Sequence, residues 1–188
     1  EKEADDALFD LRGRFFTAAD HVNPYDEHPP VLFLEWTDPP FVGGHWTPQL
    51  IERAGGSHPL NPTTPMENAG AGAGAQWAHR LAGTSRRVTH EQIVESKPEY
   101  AIVCPCGLTL EQTIAETRAI EGQPWWNELP AVRAGNVAVV DGNQMFNRPG
   151  PRLVDAYEWL VALLNDLPDL IPEGFPWTRL PHSATRKA

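Results

Sequence analysis

Three stretches hold the residues whose types and spacing could do chemistry. "EWTDPPFVGGHWTPQ" (35–49) sets Trp36, Phe41, His45 and Trp46 among prolines and a double glycine. "CPCGL" (104–108) carries the cysteines Cys104 and Cys106, and "DGNQMFNRPGPR" (141–152) gathers Asn143, Gln144, Phe146, Asn147 and Arg148. Rigid aromatic walls beside a few polar groups make a ligand cleft. The same rings can also pack beneath a sheet edge, since aromatics dominate cores. His45 can bond a backbone carbonyl, coordinate a metal or cap a ligand through a ring nitrogen. It has no partners at metal-ligand spacing, so no metal site is predicted. Asn147 and Arg148 stand just before a helix start, whose partial positive charge suits an anionic or carbonyl-bearing group. Alternatively, Asn147 or Gly150 caps that helix and Arg148 pairs with a surface acid.

Catalytic chemistry has little to build on. Cys104 and Cys106 are too close for an ordinary disulfide, too few for a closed zinc site and not a Cys-x-x-Cys pair, so a small buried hydrophobe is the expected role near a strand end. The sequence has no Gly-x-Ser-x-Gly elbow, no phosphate-binding Gly-rich loop with Lys and no His-Glu-x-x-His. "AGAGAG" does not follow a strand and is not a nucleotide fingerprint. The reading is therefore a binding protein and not an enzyme, with no catalytic residue and no required cofactor.

The elements that must position these loops follow from apolar patterning. Residues 4–19 carry Leu8, Leu11, Phe15 and Phe16 at near-helical spacing, which predicts a helix apolar on one side. "HVNPYDEHPP" ends it, because proline breaks the hydrogen-bond ladder. "VLFL", "YAIVC" and "VAVVD" read as short buried strands. Thr47-Pro48 predicts an N-cap and a first-turn proline for a helix ending at Gly55-Gly56. Thr89 with Gln92, and Thr109 with Gln112, have capping-box spacing at two further helix starts. Pro151 opens a final helix with Leu153, Val154, Tyr157, Leu160, Val161 and Leu164 on one face. Residues 57–86, rich in Pro, Gly and Ala around "AGAGAGA", predict a long surface loop with a helical turn near Trp77. Strands alternating with helices give an α/β fold, a short mostly parallel sheet covered on both faces, and ligands lie outside the carboxyl ends of such strands. Loops 36–46 and 141–148 are thus expected side by side.

Composition bounds the partners. The 188 residues are 41% hydrophobic, enough for one α/β domain with a core. With 25 acidic against 15 basic residues, a net charge of −10 and no basic run, nucleic acid is excluded as a partner. No stretch has the length and apolarity of a membrane span, and no signal peptide is visible. The chain begins at Glu1, which reads as a processed or partial protein.

Four stretches together resemble a known family. "EWTDPPFVGGHWTPQLIERAGG" and "DGNQMFNRPGPRLVDAYEWL", joined by "SRRVTHEQIVESKPEYAIVCPCG" and "WWNELPAVRAGNVAVVDG", resemble the carboxyl-terminal lobe of the cobalamin-type periplasmic substrate-binding proteins. These are the helical-backbone metal receptors of ABC importers, in which two α/β lobes joined by one long helix grip a ligand between them. The resemblance covers residues 5–166 in order. It implies that 1–30 are the end of that helix and a linker, that 31–166 are one substrate-binding lobe with an unusually long loop at 57–86, and that 167–188 are an irregular tail. It further implies that the amino-terminal lobe is not part of this sequence.

The resemblance also implies roles. The ligand would be cobalamin or a related metal chelate such as a haem or siderophore complex. Phe41 and Arg148 resemble ligand-contacting positions, and with them Trp36, His45, Trp46, Gln144, Phe146 and Asn147 form the expected binding set. Gln144 stands where the cobalamin receptors have a hydrogen-bonding acid. Glu91 resembles the acidic knob that docks on a permease. The expected partners are an ABC permease, a separate amino-terminal lobe, or a larger assembly or second copy covering the aromatic face. The implied location of a bacterial receptor is extracytoplasmic, periplasmic or surface-anchored. A solitary lobe serving as a structural or interaction subunit is the alternative.

Overall fold

The run Val31–Leu34 is apolar at every position because it is covered on both faces. In the computed structural model, which describes residues 2–23, 25–67 and 80–181, these four residues are all buried. Side chains alternate across a strand. Val31 and Phe33 accordingly join one apolar cluster, with Ile102, Val140, Tyr157, Trp159 and Leu160. Leu32 and Leu34 join the other, with Ala101, Val103, Val137, Ile93, Trp126 and Leu129. The result is a three-layer α/β unit, as expected.

The first helix, α1 (Lys2–Ala19), is followed by β1 (Val31–Thr37), β2 (Pro40–Val42) and α2 (Thr47–Arg53). Three two-residue strands follow: β3 (Thr64–Pro65), β4 (Arg80–Leu81) and β5 (Arg86–Arg87). Then come α3 (His90–Glu95), β6 (Tyr100–Val103), α4 (Leu110–Ile120), α5 (Pro124–Glu128), α6 (Pro130–Ala134) and β7 (Val137–Val140). The chain closes with α7 (Arg152–Leu164), a 3₁₀ turn at Pro168–Leu170, and β8 (Trp177–Leu180). The main sheet has the order β5-β2-β1-β6-β7-β8. Its centre is parallel, β1 with β6 and β6 with β7. Its flanks are antiparallel.

Both capping boxes form. Thr89 accepts from the Gln92 amide while the Gln92 side chain accepts from the Thr89 amide, and Thr109 and Gln112 repeat the exchange. At α2 the cap differs from expectation. Trp46, not Thr47, is the N-cap and makes no side-chain cap bond, while Pro48 lies in the first turn as predicted.

The segments read as irregular hold additional strands. The tail 167–188 is not irregular throughout: β8 pairs with β7 over Val137–Leu180 to Val140–Trp177, covering an edge that would otherwise leave β7's backbone groups unpaired. Residues 36–46 are largely a hairpin, with Trp36 opposite Phe41 and Thr37 opposite Pro40. The 57–86 segment is anchored at both ends: β3 pairs with β4, and β5 extends the sheet beyond β2. "AGAGAGA" and the helical turn near Trp77 lie outside the described residues.

Helix α1 is less buried than its pattern predicts. Phe15 stacks on Tyr157 of α7 at 4.2 Å, and Arg14 pairs with Asp155 (2.5 Å) and with Glu158. Phe9 (77% exposed), Phe16 (65%) and Leu8 (46%) remain open. Arg14 and Phe15 meet α7 from one side of the helix, and Phe9 and Phe16, about 180° round at roughly 100° per residue, cannot reach it.

Candidate functional site

Strands β1, β6 and β7 run parallel, so the segments that follow them leave from one edge of the sheet. Close backbone approach fixes their shape. A Cβ on Gly44 would lie 2.2 Å from the Ser85 nitrogen and the Thr84 carbonyl carbon, and one on Gly142 would lie 1.9 Å from the Pro105 oxygen. Only glycine tolerates such contacts. Beyond Gly44 the chain turns through His45 at φ 59°, whose amide donates to Gly83 (2.7 Å), and Thr47 donates back to the Gly44 carbonyl (3.0 Å).

The first and third loops meet as expected. The Trp46 indole N–H donates to the Phe146 carbonyl at 2.5 Å. Around this contact lies a recess of about 260 Å³, lined by Glu35, Gly44, His45, Trp46, Thr47, Phe146 and Asn147. His45 is exposed, Trp46 and Asn147 are half-buried, and the His45 and Trp46 rings stand 5.8 Å apart. Asn147 is held firmly. Its side-chain nitrogen donates to the Cys104 carbonyl (3.1 Å) and the Gly142 carbonyl (2.9 Å).

The other expected residues fall elsewhere. Phe146 turns its ring into the core, where it is 2% exposed and packs edge-on against Phe33 (4.9 Å) and Trp159 (6.0 Å). Its backbone, at φ 60°, points the ring inward and leaves the carbonyl for Trp46. Trp36 and the half-buried Phe41 are cross-strand neighbours on the hairpin, outside the recess lining; Trp36 is 41% exposed, and its indole N–H donates to the Asp38 carbonyl (3.1 Å). Gln144 is exposed, donates to Asp141 (3.1 Å) and accepts from Arg152 (3.1 Å). Arg148 is exposed. Neither Asn147 nor Gly150 caps α7, whose N-cap is Pro151 without a side-chain bond. Glu91 is exposed in the first turn of α3, and bonds from its own backbone amide and from Thr89 hold its carboxyl below the usual range.

Two contributors, Asp141 and Glu35, were not singled out from the sequence. Asp141, 5% exposed, accepts from the amides of Asn143 (3.0 Å), Gln144 (2.9 Å) and Leu110 (3.3 Å), tying the third loop to the start of α4. Glu35 brings a carboxylate to the recess and accepts from the Ser85 hydroxyl at 2.5 Å. An acid directly after the apolar run "VLFL" was the available signal. Cys104 is fully buried, and burial raises its thiol well above the ordinary value, which suits packing and not nucleophilic attack. A larger recess, about 710 Å³, opens by His21, Asp26, His28 and Tyr100 at the amino-terminal end of the strands. Ligands of parallel sheets lie at the carboxyl end, which favours the smaller one. Among the described residues no three His, Cys, Asp or Glu side chains form a group able to hold a metal ion, and no helix is long and apolar enough to cross a membrane.

No protein-family model and no curated protein matches the chain. Solved structures do. A periplasmic binding protein from Veillonella parvula matches at TM-score 0.63 and 18% identity, over 88% of this chain and 51% of its own. A periplasmic heme binding protein from Pseudomonas aeruginosa matches at 0.63 and 18%, over 88% and 54%. The periplasmic vitamin B12 binding protein of Vibrio cholerae matches at 0.53 and 20%, over 89% and 52%. The chain thus shares the fold of these proteins and spans about half the length of each.

Proposed function

We propose that this chain is the ligand-binding lobe of an ABC-importer substrate-binding protein and takes a metal chelate, cobalamin or a related haem or siderophore complex, at the carboxyl edge of its sheet. One observation carries the reading: Glu35, His45 and Trp46 from one stretch of sequence and Asn147 from another converge on one recess at that edge. Trp36 stands exposed on the hairpin that begins at the same edge. Binding proteins for heme and vitamin B12 with this fold support it. A recess of about 260 Å³ is smaller than most drug-sized pockets, so the ligand lies across it and a second surface covers the opposite face. That surface would be an amino-terminal lobe, and without it affinity is reduced. Glu91, ionised and exposed, would dock on basic residues of the permease, and the site of action would be extracytoplasmic.

Titration of the purified chain with cyanocobalamin, haemin and ferric siderophores, followed by tryptophan fluorescence, tests this. Saturable binding of at least one chelate, weakened about thirtyfold or more by Trp46→Ala, is expected, as a lost aromatic anchor costs roughly 2 kcal/mol or more. Absence of binding to all of them, with or without an added amino-terminal lobe, overturns it. The exposed Leu8, Phe9 and Phe16 of α1 favour a second reading, a subunit covered by another protein along that helix.

A further inference from the structure

We infer that the recess selects chelates edged with N–H donors, amide or ammonium, against those edged with carboxylates or catecholates, and that Glu35 sets this preference. The inference rests on the ligand-binding reading above. It follows from which hydrogen-bonding groups of the recess are already committed.

The Asn147 and Trp46 side-chain donors, and one backbone amide, are spent on the fold. Asn147 has two N–H bonds, and they point at the Cys104 and Gly142 carbonyls. The Trp46 indole N–H is taken by the Phe146 carbonyl, and the His45 amide by Gly83. Among the side chains, what remains is acceptor or able to act as either. Glu35 uses Oε2 to accept from Ser85, and among the described residues no Lys or Arg pairs with it and none donates to Oε1. Asn147 keeps Oδ1. The Thr47 hydroxyl and the His45 ring can each face a donor or an acceptor.

An ionised carboxylate accepts only, and its bonds to N–H groups are about twice as strong as neutral ones. A ligand carboxylate placed there would meet the Glu35 carboxylate with no Lys or Arg in the lining, and would leave Oε1 without a donor. Specificity arises as readily from such mismatches as from good contacts. Arg148, the cation expected from the sequence to meet the ligand, does not line the recess. Any carboxylate it receives lies outside the pocket that Glu35 guards.

The test compares ligands that differ in one group. Cyanocobalamin and its monocarboxylic acids, in each of which one side-chain amide is replaced by a carboxylate, are titrated by calorimetry at neutral pH, with haemin alongside. The unaltered chain is expected to bind cyanocobalamin about tenfold or more tighter than at least one monoacid, a difference of roughly 1.4 kcal/mol or more. Glu35→Gln, which keeps an acceptor for Ser85 and adds an N–H, should shrink that gap to about threefold or less, roughly 0.7 kcal/mol. The amide-to-acid comparison in the unaltered chain decides the selectivity even if the variant does not fold, and a gap that Glu35→Gln leaves unchanged overturns the role of Glu35. Equal binding of the amide and all acids, or haemin as the preferred ligand, overturns the inference and leaves the receptor reading standing. Failure of every probe overturns both.

Discussion

Replacing Asp141 by alanine should unfold the third loop before it affects anything else. The carboxylate is 5% exposed and accepts three backbone amides, those of Asn143 at 3.0 Å, Gln144 at 2.9 Å and Leu110 at 3.3 Å. Alanine leaves all three without this acceptor. Each buried orphan donor costs about 1–3 kcal/mol, and a loop that can open to water recovers part of that. The expected loss is roughly 3–5 kcal/mol. Asp141→Asn gives the control. Its oxygen can keep the Asn143 and Gln144 amides, but its NH₂ then faces the Leu110 amide and the Gln144 side-chain nitrogen, so a loss of about 1.5–3 kcal/mol is expected. Urea unfolding followed by tryptophan fluorescence measures both, with Trp46, bonded to the Phe146 carbonyl of this loop, among the reporters. An alanine variant within about 1 kcal/mol of the unaltered chain, below the loss expected from even one well-buried orphan, would refute the argument.

Two further outcomes follow. Gly44→Ala drives a Cβ to 2.2 Å from the Thr84–Ser85 backbone, so the variant should lose more than about 2 kcal/mol and any chelate binding together; a variant that keeps both would show that the backbone gives way freely. His58, buried between the carbonyls of Val31 (3.0 Å) and Gly43 (3.3 Å), has its pKa lowered from 6.5 chiefly by burial, against the raising effects of those two carbonyls and Glu52. Because the folded state binds its proton less readily than the unfolded one, its contribution is fully present above pH 6.5 and declines as pH falls below that value. Urea midpoints across that range should drop more steeply for the unaltered chain than for His58→Gln, and equal slopes would remove His58 as the cause.

The parts of the fold that were legible are those where one residue type has one physical use. Thr89 with Gln92 and Thr109 with Gln112 can satisfy a helix start in only one arrangement, and both do so. "VLFL", "YAIV" and "VAVV" are apolar on both sides because they are central strands. β8 was illegible for the opposite reason. As a four-residue edge strand with Trp177 half-buried and Arg179 exposed, it has no apolar run to betray it. At the site, sequence located the loops but not which atoms face out. Phe146 reads like Trp46 until a positive φ turns its ring into the core. Asn147 reads as a ligand donor until the Cys104 and Gly142 carbonyls claim its nitrogen.

The β3–β4 ladder has a use of its own. Thr64 pairs with Leu81 and Pro65 with Arg80, while Arg80 donates to the Thr63 carbonyl (2.7 Å) and reaches Glu52 on α2 (3.4 Å). The ends of the intervening stretch are therefore stapled together and to a helix, whatever its length. Glu52 accepts the Thr63 amide (2.9 Å) as well as meeting Arg80, so one carboxylate of α2 sets where the chain stands on both sides of the ladder. The ladder is thus a socket held by a single pin, and that pin uses no residue that lines the recess.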